Sequence, residues 1–383
     1  MNKKHFIFFT VFFWCALNSY AGIRPSFSLD YCAWNATHIV IATEGEEIDG
    51  NFAVLESLKG DLGFGESISI QELSNFNSES SRQVKQSYSE TPIASKYVTG
   101  AKMILFLRKN PTSKAIWESA DFYKDFKVSV IWIEGEKTFA FIQTMNPGDS
   151  ILVEFGKTEI EIRSRIFEIN EIENSLNDVL KIENKTERAE ELQDFVASDF
   201  YLAQKKAFDE LKKCGENALP VLRKILKDQS LLEIHPDAIE TLAMVGGKKV
   251  GNELTEIVKE EMSFWKETAP KLSEGWWNDI NNPDTEILRN RYSKVLEAIY
   301  QLKNIKFRNC KKVVTQFRDF WRSLPQLEDK GGLNQMSEEC DKLLQELKSK
   351  NRTQFRKKIF RTVYTIIYKR PKYRKNTIQI STI

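Results

Sequence analysis

Two stretches decide the fold: AFDELKKCGENALPVLRKILKD (residues 207–228) and HPDAIETLAMVGGKKVGNELTEIVKE (residues 235–260). Apolar residues recur in both at intervals of three and four, which is the spacing of one face of an α-helix. Glycines interrupt the stretches at Gly215 and at Gly246-Gly247, where a helix can end in a left-handed residue. Pro220 fits the first turn of the next helix, because its missing N–H is not needed there. Each stretch therefore predicts a pair of short helices.

The two helix pairs are related by a fixed interval. Phe208 and Ile239 lie 31 residues apart, as do Leu211 and Leu242, and this interval is typical of stacked helical repeats. The pattern resembles the HEAT repeat, which implies an α-helical solenoid. Apolar stripes in residues 288–302, 313–324 and 336–347 extend the helical region, although they do not register with the first two pairs.

The N-terminus has the form of an export signal. Lys3 and Lys4 precede the apolar run 6–17, and the small residues Ser19 and Ala21 follow it. The run is too short to span a bilayer. We therefore expect a signal peptide over residues 1–21, cleaved near Ala21, and a periplasmic or secreted mature chain.

Residues 22–156 are predicted to form a small antiparallel β barrel. Strand-like alternation runs from 29 to 73, and further strands are expected at 103–107, 128–134, 138–144 and 151–155. Residues 157–198 are predicted to be a helical connector, 199–349 the HEAT-like repeat domain and 350–383 a basic tail. The expected fold class is therefore α+β.

The β domain resembles the netrin-like, OB-fold module of tissue inhibitors of metalloproteinases and of some exported bacterial proteins. The resemblance covers residues 29–110 and rests on Cys32-Ala33, Ile39-Val40, FAVL (52–55), Leu58-Lys59-Gly60, Gly100 and ILFL (104–107). In those inhibitors the mature chain begins with a cysteine whose free amine binds the zinc of the protease. Here the predicted mature chain begins at Gly22 and Cys32 lies further in, so the resemblance does not imply that activity.

Sequence signals for catalysis and for cofactor binding are lacking. Beyond the signal peptide the chain has two histidines, His38 in a predicted strand and His235 in a predicted loop, without further His or Cys at ligand spacing. No G-x-S-x-G elbow, P-loop or dinucleotide fingerprint occurs. We therefore expect no catalytic residue, cofactor or metal, and structural roles for both histidines. A hydrolase whose carboxylates converge between the domains is an alternative, because a sequence does not give distances in space.

Basic charge is concentrated in the tail. Residues 350–383 contain 11 Lys and Arg and no acidic residue, whereas acidic residues outnumber basic ones over the rest of the mature chain. The body therefore lacks the charge of a nucleic-acid-binding protein, and no nucleic acid partner is expected. Apolar residues at helical spacing beside Arg356, Lys357, Lys358 and Arg361 favour weak contact with an anionic membrane, and disorder is the alternative.

Three tryptophans are candidates for a binding surface. Trp265, Trp276 and Trp277 lie in an irregular segment, residues 264–283, and an aromatic platform there would hold a glycan or a partner side chain. The alternative is that they fill the core between neighbouring repeats. Cys310 and Cys340 lie on neighbouring predicted helices, so we expect a disulfide between them, with buried free thiols as the alternative.

Stacked helices offer a long surface rather than a constellation of catalytic groups. The principal hypothesis is therefore a non-enzymatic scaffold in the cell envelope or the extracellular space that binds a protein partner. A module that binds glycan or anionic lipid, built from the tryptophans and the basic tail, is the second hypothesis.

Overall fold

The chain forms two compact units that divide between Asp178 and Val179. The structure, a computed structural model, describes residues 28–44, 51–70, 102–109, 117–119, 130–143, 150–272, 284–324 and 336–348. The first unit is built on an antiparallel sheet and the second on helices, which confirms the α+β class expected from the sequence.

A short helix precedes the sheet. Helix α1 (Leu29–Asn35) begins after Ser28, whose hydroxyl accepts a hydrogen bond from the backbone N–H of Tyr31 at 3.3 Å. Its buried residues Leu29, Cys32 and Ala33 have helical spacing. The prediction of strand-like structure from residue 29 is therefore wrong for this segment, because seven residues are too few for the two periodicities to be told apart.

The described strands form one antiparallel sheet in the order β3-β2-β1-β4-β6-β7-β8, and β5 pairs with β4 away from this path. β3 and β8 are the outer strands and do not pair with each other in the part of the chain that is described, so the sheet is open. This corrects the prediction of a barrel. The strands are β1 (His38–Glu44), β2 (Asn51–Lys59), β3 (Ser67–Ser69), β4 (Lys102–Lys109), β5 (Trp117–Ser119), β6 (Val130–Glu134), β7 (Lys137–Gln143) and β8 (Ser150–Glu154).

The central strands are buried on both faces. In β1 the four consecutive residues 39–42 have no exposed surface, although their side chains alternate between the two faces of the sheet. One face forms a continuous apolar core, which contains Val40, Ala42, Phe52, Val54, Ile68, Ile70, Met103, Leu105, Leu107, Val130, Trp132 and Phe139. The other face requires a cover from outside the sheet.

Helix α2 (Glu159–Leu180) supplies that cover. Ile162, Ile166 and Ile169 are buried along one side of this helix. Polar contacts fix it to the strands: Lys59 Nζ lies 2.5 Å from Glu173 Oε2, and Asn170 Nδ2 donates to the Leu58 carbonyl at 3.1 Å. The first half of the predicted connector therefore belongs to the sheet unit.

The second unit is a helical array. Helix α3 packs against α4 and α5, so the second half of the predicted connector belongs to the array. The described helices are α3 (Lys185–Val196), α4 (Tyr201–Cys214), α5 (Leu219–Lys227), α6 (His235–Gly246), α7 (Gly251–Thr268), α8 (Asp284–Asn304), α9 (Lys311–Arg322) and α10 (336–348). None of the described helices has the length and hydropathy that a membrane crossing requires.

Three pairs of consecutive helices are each joined through a 3₁₀ turn: α4 to α5, α6 to α7, and α8 to α9. In the first two pairs the turn begins at Gly215 or Gly247, and both residues have positive φ values, 65° and 53°. The glycine breaks predicted from the sequence are therefore confirmed, and the turns lie 32 residues apart. First helices of successive pairs pack on one another, α4 on α6 and α6 on α8, and α7 packs on α9.

The third pair, which could not be registered from the sequence, has a turn that ends in the same way. A 3₁₀ turn ends at Ala218, Val250 and Cys310 in the three pairs, and each of these side chains has no exposed surface. A buried residue follows each of them by four positions, at Leu222, Leu254 and Val314. The left-handed residue here is Lys306, with φ 56°, which lies four positions before Cys310, whereas the glycines lie three positions before Ala218 and Val250.

Candidate functional site

The candidate aromatic platform is not supported at Trp265. This residue lies in α7 with no exposed surface, and its ring contacts the Trp321 ring of α9 edge-on at a centroid distance of 5.4 Å. Trp321 also contacts Tyr292 of α8 at 5.8 Å. Trp265 is therefore part of the core between helix pairs, which is the alternative that the sequence left open.

The other candidate binding residues lie outside the described residues, namely Trp276, Trp277, Arg356, Lys357, Lys358 and Arg361. Their roles stay predictions. Cys310 and Cys340 are described, and both are buried free cysteines, so the disulfide expected between them is not formed in the structure. Cys310 Sγ instead donates to the carbonyl of Phe307 at 2.8 Å.

His38 has a packing role at the start of β1. Its Nε2 lies 2.7 Å from Asp61 Oδ1, and its ring contacts the Trp117 ring edge-on at 4.6 Å. Gly60, with φ 88°, lies so close to the ring that an added Cβ would be 2.2 Å from His38 Cδ2. The Thr37 hydroxyl, 3.0 Å from His38 Nδ1, is also held by the Leu107 carbonyl at 3.3 Å. The residues around the histidine therefore fix its orientation.

Within the described ranges, no group of three or more His, Cys, Asp or Glu side chains has the arrangement of a metal site. The structure nevertheless brings charged residues together in the array, and two of these groups differ in their exposure. One is exposed and the other is buried.

The exposed place is an acidic face on α6 and α8, which we define as Asp237, Glu240, Met244, Glu297 and Tyr300. The α6 residues follow one another by three and four positions, and Glu297 and Tyr300 are three apart, so each set shares one side of its helix. Met244 is 60% exposed and Tyr300 is 43% exposed. The face therefore combines carboxylates with apolar side chains in contact with solvent.

The carboxylates of the acidic face influence one another across the two helices. Desolvation raises the pKa of Asp237, and the charge of Glu240 adds to this effect. Desolvation also raises the pKa of Glu297, with further contributions from Glu240 and Asp237, although a hydrogen bond from Gln301 opposes the rise. Two lysines of α4, Lys212 and Lys205, lower the pKa of Asp237. Lys212 Nζ also lies 4.0 Å from Glu240. A cationic group placed on this face would relieve the repulsion.

The buried place is a charge cluster between α7 and α8, formed by Glu261, Arg291 and Lys294. Glu261 is 1% exposed, and its Oε1 lies 3.0 Å from Lys294 Nζ and 3.1 Å from Arg291 Nη1. Arg291 also contacts Gln229 Oε1 at 3.2 Å and lies over the Phe264 ring at 4.0 Å. With two cations around one carboxylate, the cluster satisfies Glu261 and serves the packing of the array.

His235 lies next to this cluster rather than in a loop. It is the first residue of α6 and has no exposed surface. Its Nε2 lies 2.9 Å from the Asp228 carbonyl and 3.1 Å from the Ile225 carbonyl, both near the end of α5. The prediction of a structural role agrees with these contacts, but the predicted location in a loop is wrong.

Sequence reasoning missed both charged places. The buried cluster had a signal, because Glu261 interrupts the apolar stripe Leu254, Val258, Trp265 at a position that faces the core. The acidic face had a weaker signal, since polar residues on the outer side of a helix are common. Its significance depends on the adjacency of Glu297 to α6, which a sequence does not give.

Comparison with known proteins gives no identification: no family model, no curated protein and no solved structure matches this chain.

Proposed function

We propose that this chain is a non-enzymatic, extracytoplasmic scaffold that binds a basic protein partner through the acidic face of α6 and α8. The observation that carries the proposal is the concentration of Asp237, Glu240 and Glu297 beside the exposed Met244 and Tyr300. Exposed aromatic and methionine side chains provide apolar contact area, and the carboxylates provide charge complementarity. Export through residues 1–21 is part of the proposal.

The architecture supports this proposal in a second way. In the array the large apolar side chains are used to pack each helix on its neighbours, as in HEAT-like solenoids, and the outer sides stay available for a partner. A netrin-like identity of the sheet unit is also proposed, on the segments that resemble that module. The described histidines and cysteines are engaged in packing or in hydrogen bonds to backbone carbonyls, which favours a binding function over catalysis.

The test is affinity capture from an envelope extract with the mature chain as bait. A triple variant, Asp237→Asn/Glu240→Gln/Glu297→Gln, removes the charge of the acidic face without changing side-chain size. We expect the captured partner to fall by at least about tenfold, since three exposed charge contacts of about 0.5 kcal/mol each amount to that factor. Capture by the unchanged chain should also weaken as salt is added.

A matched control keeps the charge change but moves it to another helix. Glu256→Gln/Glu260→Gln/Glu267→Gln neutralises three exposed carboxylates of α7. This variant should capture as much partner as the unchanged chain. Equal capture by both triple variants would refute the acidic face as the binding surface.

A further inference from the structure

His235 joins two helices of the array. Its Nε2 is within hydrogen-bond distance of two backbone carbonyls, those of Ile225 and Asp228, and it lies at the start of α6. Carbonyl oxygens only accept hydrogen bonds, so Nε2 must carry the proton and share it between them. The ring therefore closes the end of α5 onto the start of α6, and we call this contact the α5–α6 joint.

The other ring nitrogen has no such partner. His235 Nδ1 is buried and makes no hydrogen bond with any described residue. In the neutral ring this atom is an acceptor without a donor. If it gained a proton, it would become a donor without an acceptor and the ring would become a buried cation, which costs considerably more.

The charges around His235 disfavour this second proton. The charge of Lys294 on α8, a residue that is only 3% exposed, opposes protonation of the ring. The charge of Glu261 on α7 favours protonation of the ring, but this carboxylate already forms ion pairs with Lys294 and Arg291. Near the end of α5, the Asp228 carboxylate also attracts the ring, yet it is bound by the Ser230 hydroxyl at 2.6 Å and its N–H at 2.9 Å.

We propose that His235 is a proton-operated joint: it holds α5 to α6 while its ring is neutral, and mild acid loosens this part of the array. A protonated ring must either stay as an unpaired cation or leave its pocket to reach water. The second outcome breaks both hydrogen bonds to the carbonyls of Ile225 and Asp228. The sheet unit has no part in this mechanism.

The direction of the pH effect follows from linkage. Burial lowers the pKa of His235 below 6.5, and Lys294 lowers it further, whereas the two carbonyls and Glu261 partly oppose the change. The unfolded chain therefore binds a proton that the folded array excludes. The stability that the neutral ring of His235 contributes is fully present above the unfolded pKa of 6.5. This contribution is lost as the pH falls from 6.5 to the folded pKa.

Hydrogen exchange of the full mature chain tests the proposal, measured from about pH 7.5 to about pH 5 and corrected for intrinsic rates. We expect the protection of amides in residues 219–246 to fall by up to about tenfold per pH unit, the limit for one proton. In His235→Gln the amide Nε2 can still donate to the carbonyls but does not titrate, so this pH dependence should disappear. His38→Gln is the matched control and should keep it.

Two results would overturn the proposal. One is a pH dependence in His235→Gln equal to that of the unchanged chain, whatever the absolute stability of the variant. The other is a ring resonance of His235, assigned by its loss in that variant, that titrates at or above about pH 6.5. Either result would mean that burial of the His235 ring does not disfavour its protonation in the folded chain.

Discussion

The sheet unit and the helical array place their charged side chains differently. In the sheet unit, the ion pairs between α2 and the strands keep some contact with solvent: Arg163 and Glu56 are 29% and 49% exposed, and Lys59 and Glu173 are 14% and 27% exposed. In the array, Glu261 and Lys294 lie inside the packed helices with 1% and 4% of their side chains exposed. Exposed pairs contribute little to stability, whereas a buried charge that loses its partner is costly. The array should therefore be the more sensitive unit.

The largest effect is expected for Glu261→Leu. This variant leaves the ammonium group of Lys294 buried without its carboxylate, which should cost about 3–5 kcal/mol of unfolding free energy. Urea denaturation followed by hydrogen exchange would measure the loss and assign it to α7 and α8. The double variant Glu261→Leu/Lys294→Met removes the two most buried charges of the cluster and leaves Arg291, which is 22% exposed and keeps its contact with Gln229, so most of the stability should return.

Glu253→Leu is the matched control on the same helix. Glu253 pairs with Arg223 at 2.7 Å, but both side chains are more than a third exposed, so the loss should stay below about 1 kcal/mol. If Glu261→Leu cost no more than Glu253→Leu, the contrast between exposed and buried charges would fail.

The next effect concerns thiol chemistry in the core of the array. Burial raises the pKa of Cys310 to about 11 and that of Cys340 to about 12. Near neutral pH Cys310 should therefore hold about a hundredfold less thiolate than an exposed cysteine, and Cys340 about a thousandfold less. We expect iodoacetamide to label neither residue in the native chain, as mass spectrometry would show.

Unfolding in urea without reductant separates free thiols from a disulfide. The structure predicts that Cys310 and Cys340 then react fully. If both stayed unlabelled until a reductant was added, the pair would be oxidised, as the sequence suggested. Labelling of the native chain would instead mean that the core of the array is open to solvent.

A smaller effect is expected where two helix pairs meet at a glycine. A Cβ added to Gly251, at the start of α7, would lie 2.2 Å from the Phe307 ring. Gly251→Ala should therefore cost about 1–3 kcal/mol through overpacking. Thermal unfolding would detect this as a lower melting temperature of the array.

A second substitution tests whether the ring is the cause. In a Phe307→Ala background the clash is absent, and alanine is the better helix former by about 1 kcal/mol. Gly251→Ala should then raise the melting temperature instead of lowering it. A loss of the same size in both backgrounds would exclude the ring contact as the reason for the glycine.

The smallest effect is expected in the sheet unit. Arg163 contacts both oxygens of Glu56, at 2.6 and 2.9 Å, and Glu159 at 2.8 Å, but it is partly exposed. Arg163→Ala should cost less than about 1 kcal/mol, and the cost should shrink at high salt. A loss as large as that of Glu261→Leu would show that the two units do not differ as described.

Local sequence patterns predicted much of the fold. Alternation in residues 38–43 and the buried run 103–107 identified β1 and β4, and Gly215 and Gly247 identified the turns of the first two helix pairs. These signals are local, so they survive in a single sequence. The third turn was missed because Lys306 adopts the left-handed conformation that glycine usually provides.

Features that depend on distant partners were not predicted. Whether a strand order closes into a barrel depends on the pairing of its outermost strands, and β3 and β8 lie at opposite ends of the order. The division of residues 157–198 between the units depends on which neighbours α2 and α3 find. The acidic face likewise depends on Glu297 meeting a helix that begins some sixty residues earlier, at His235.

The recurrence of one turn at Ala218, Val250 and Cys310 makes the length of the array adjustable in whole steps. A second copy of residues 219–250, inserted after Val250, would begin and end at equivalent positions and would still leave Gly251 beside Phe307. Such a chain should grow by one helix pair while its two ends keep their native neighbours. The molecule is thus periodic in its construction, and the inserted copy would carry its own Asp237, Glu240 and Met244, so the α6 part of the acidic face would occur twice.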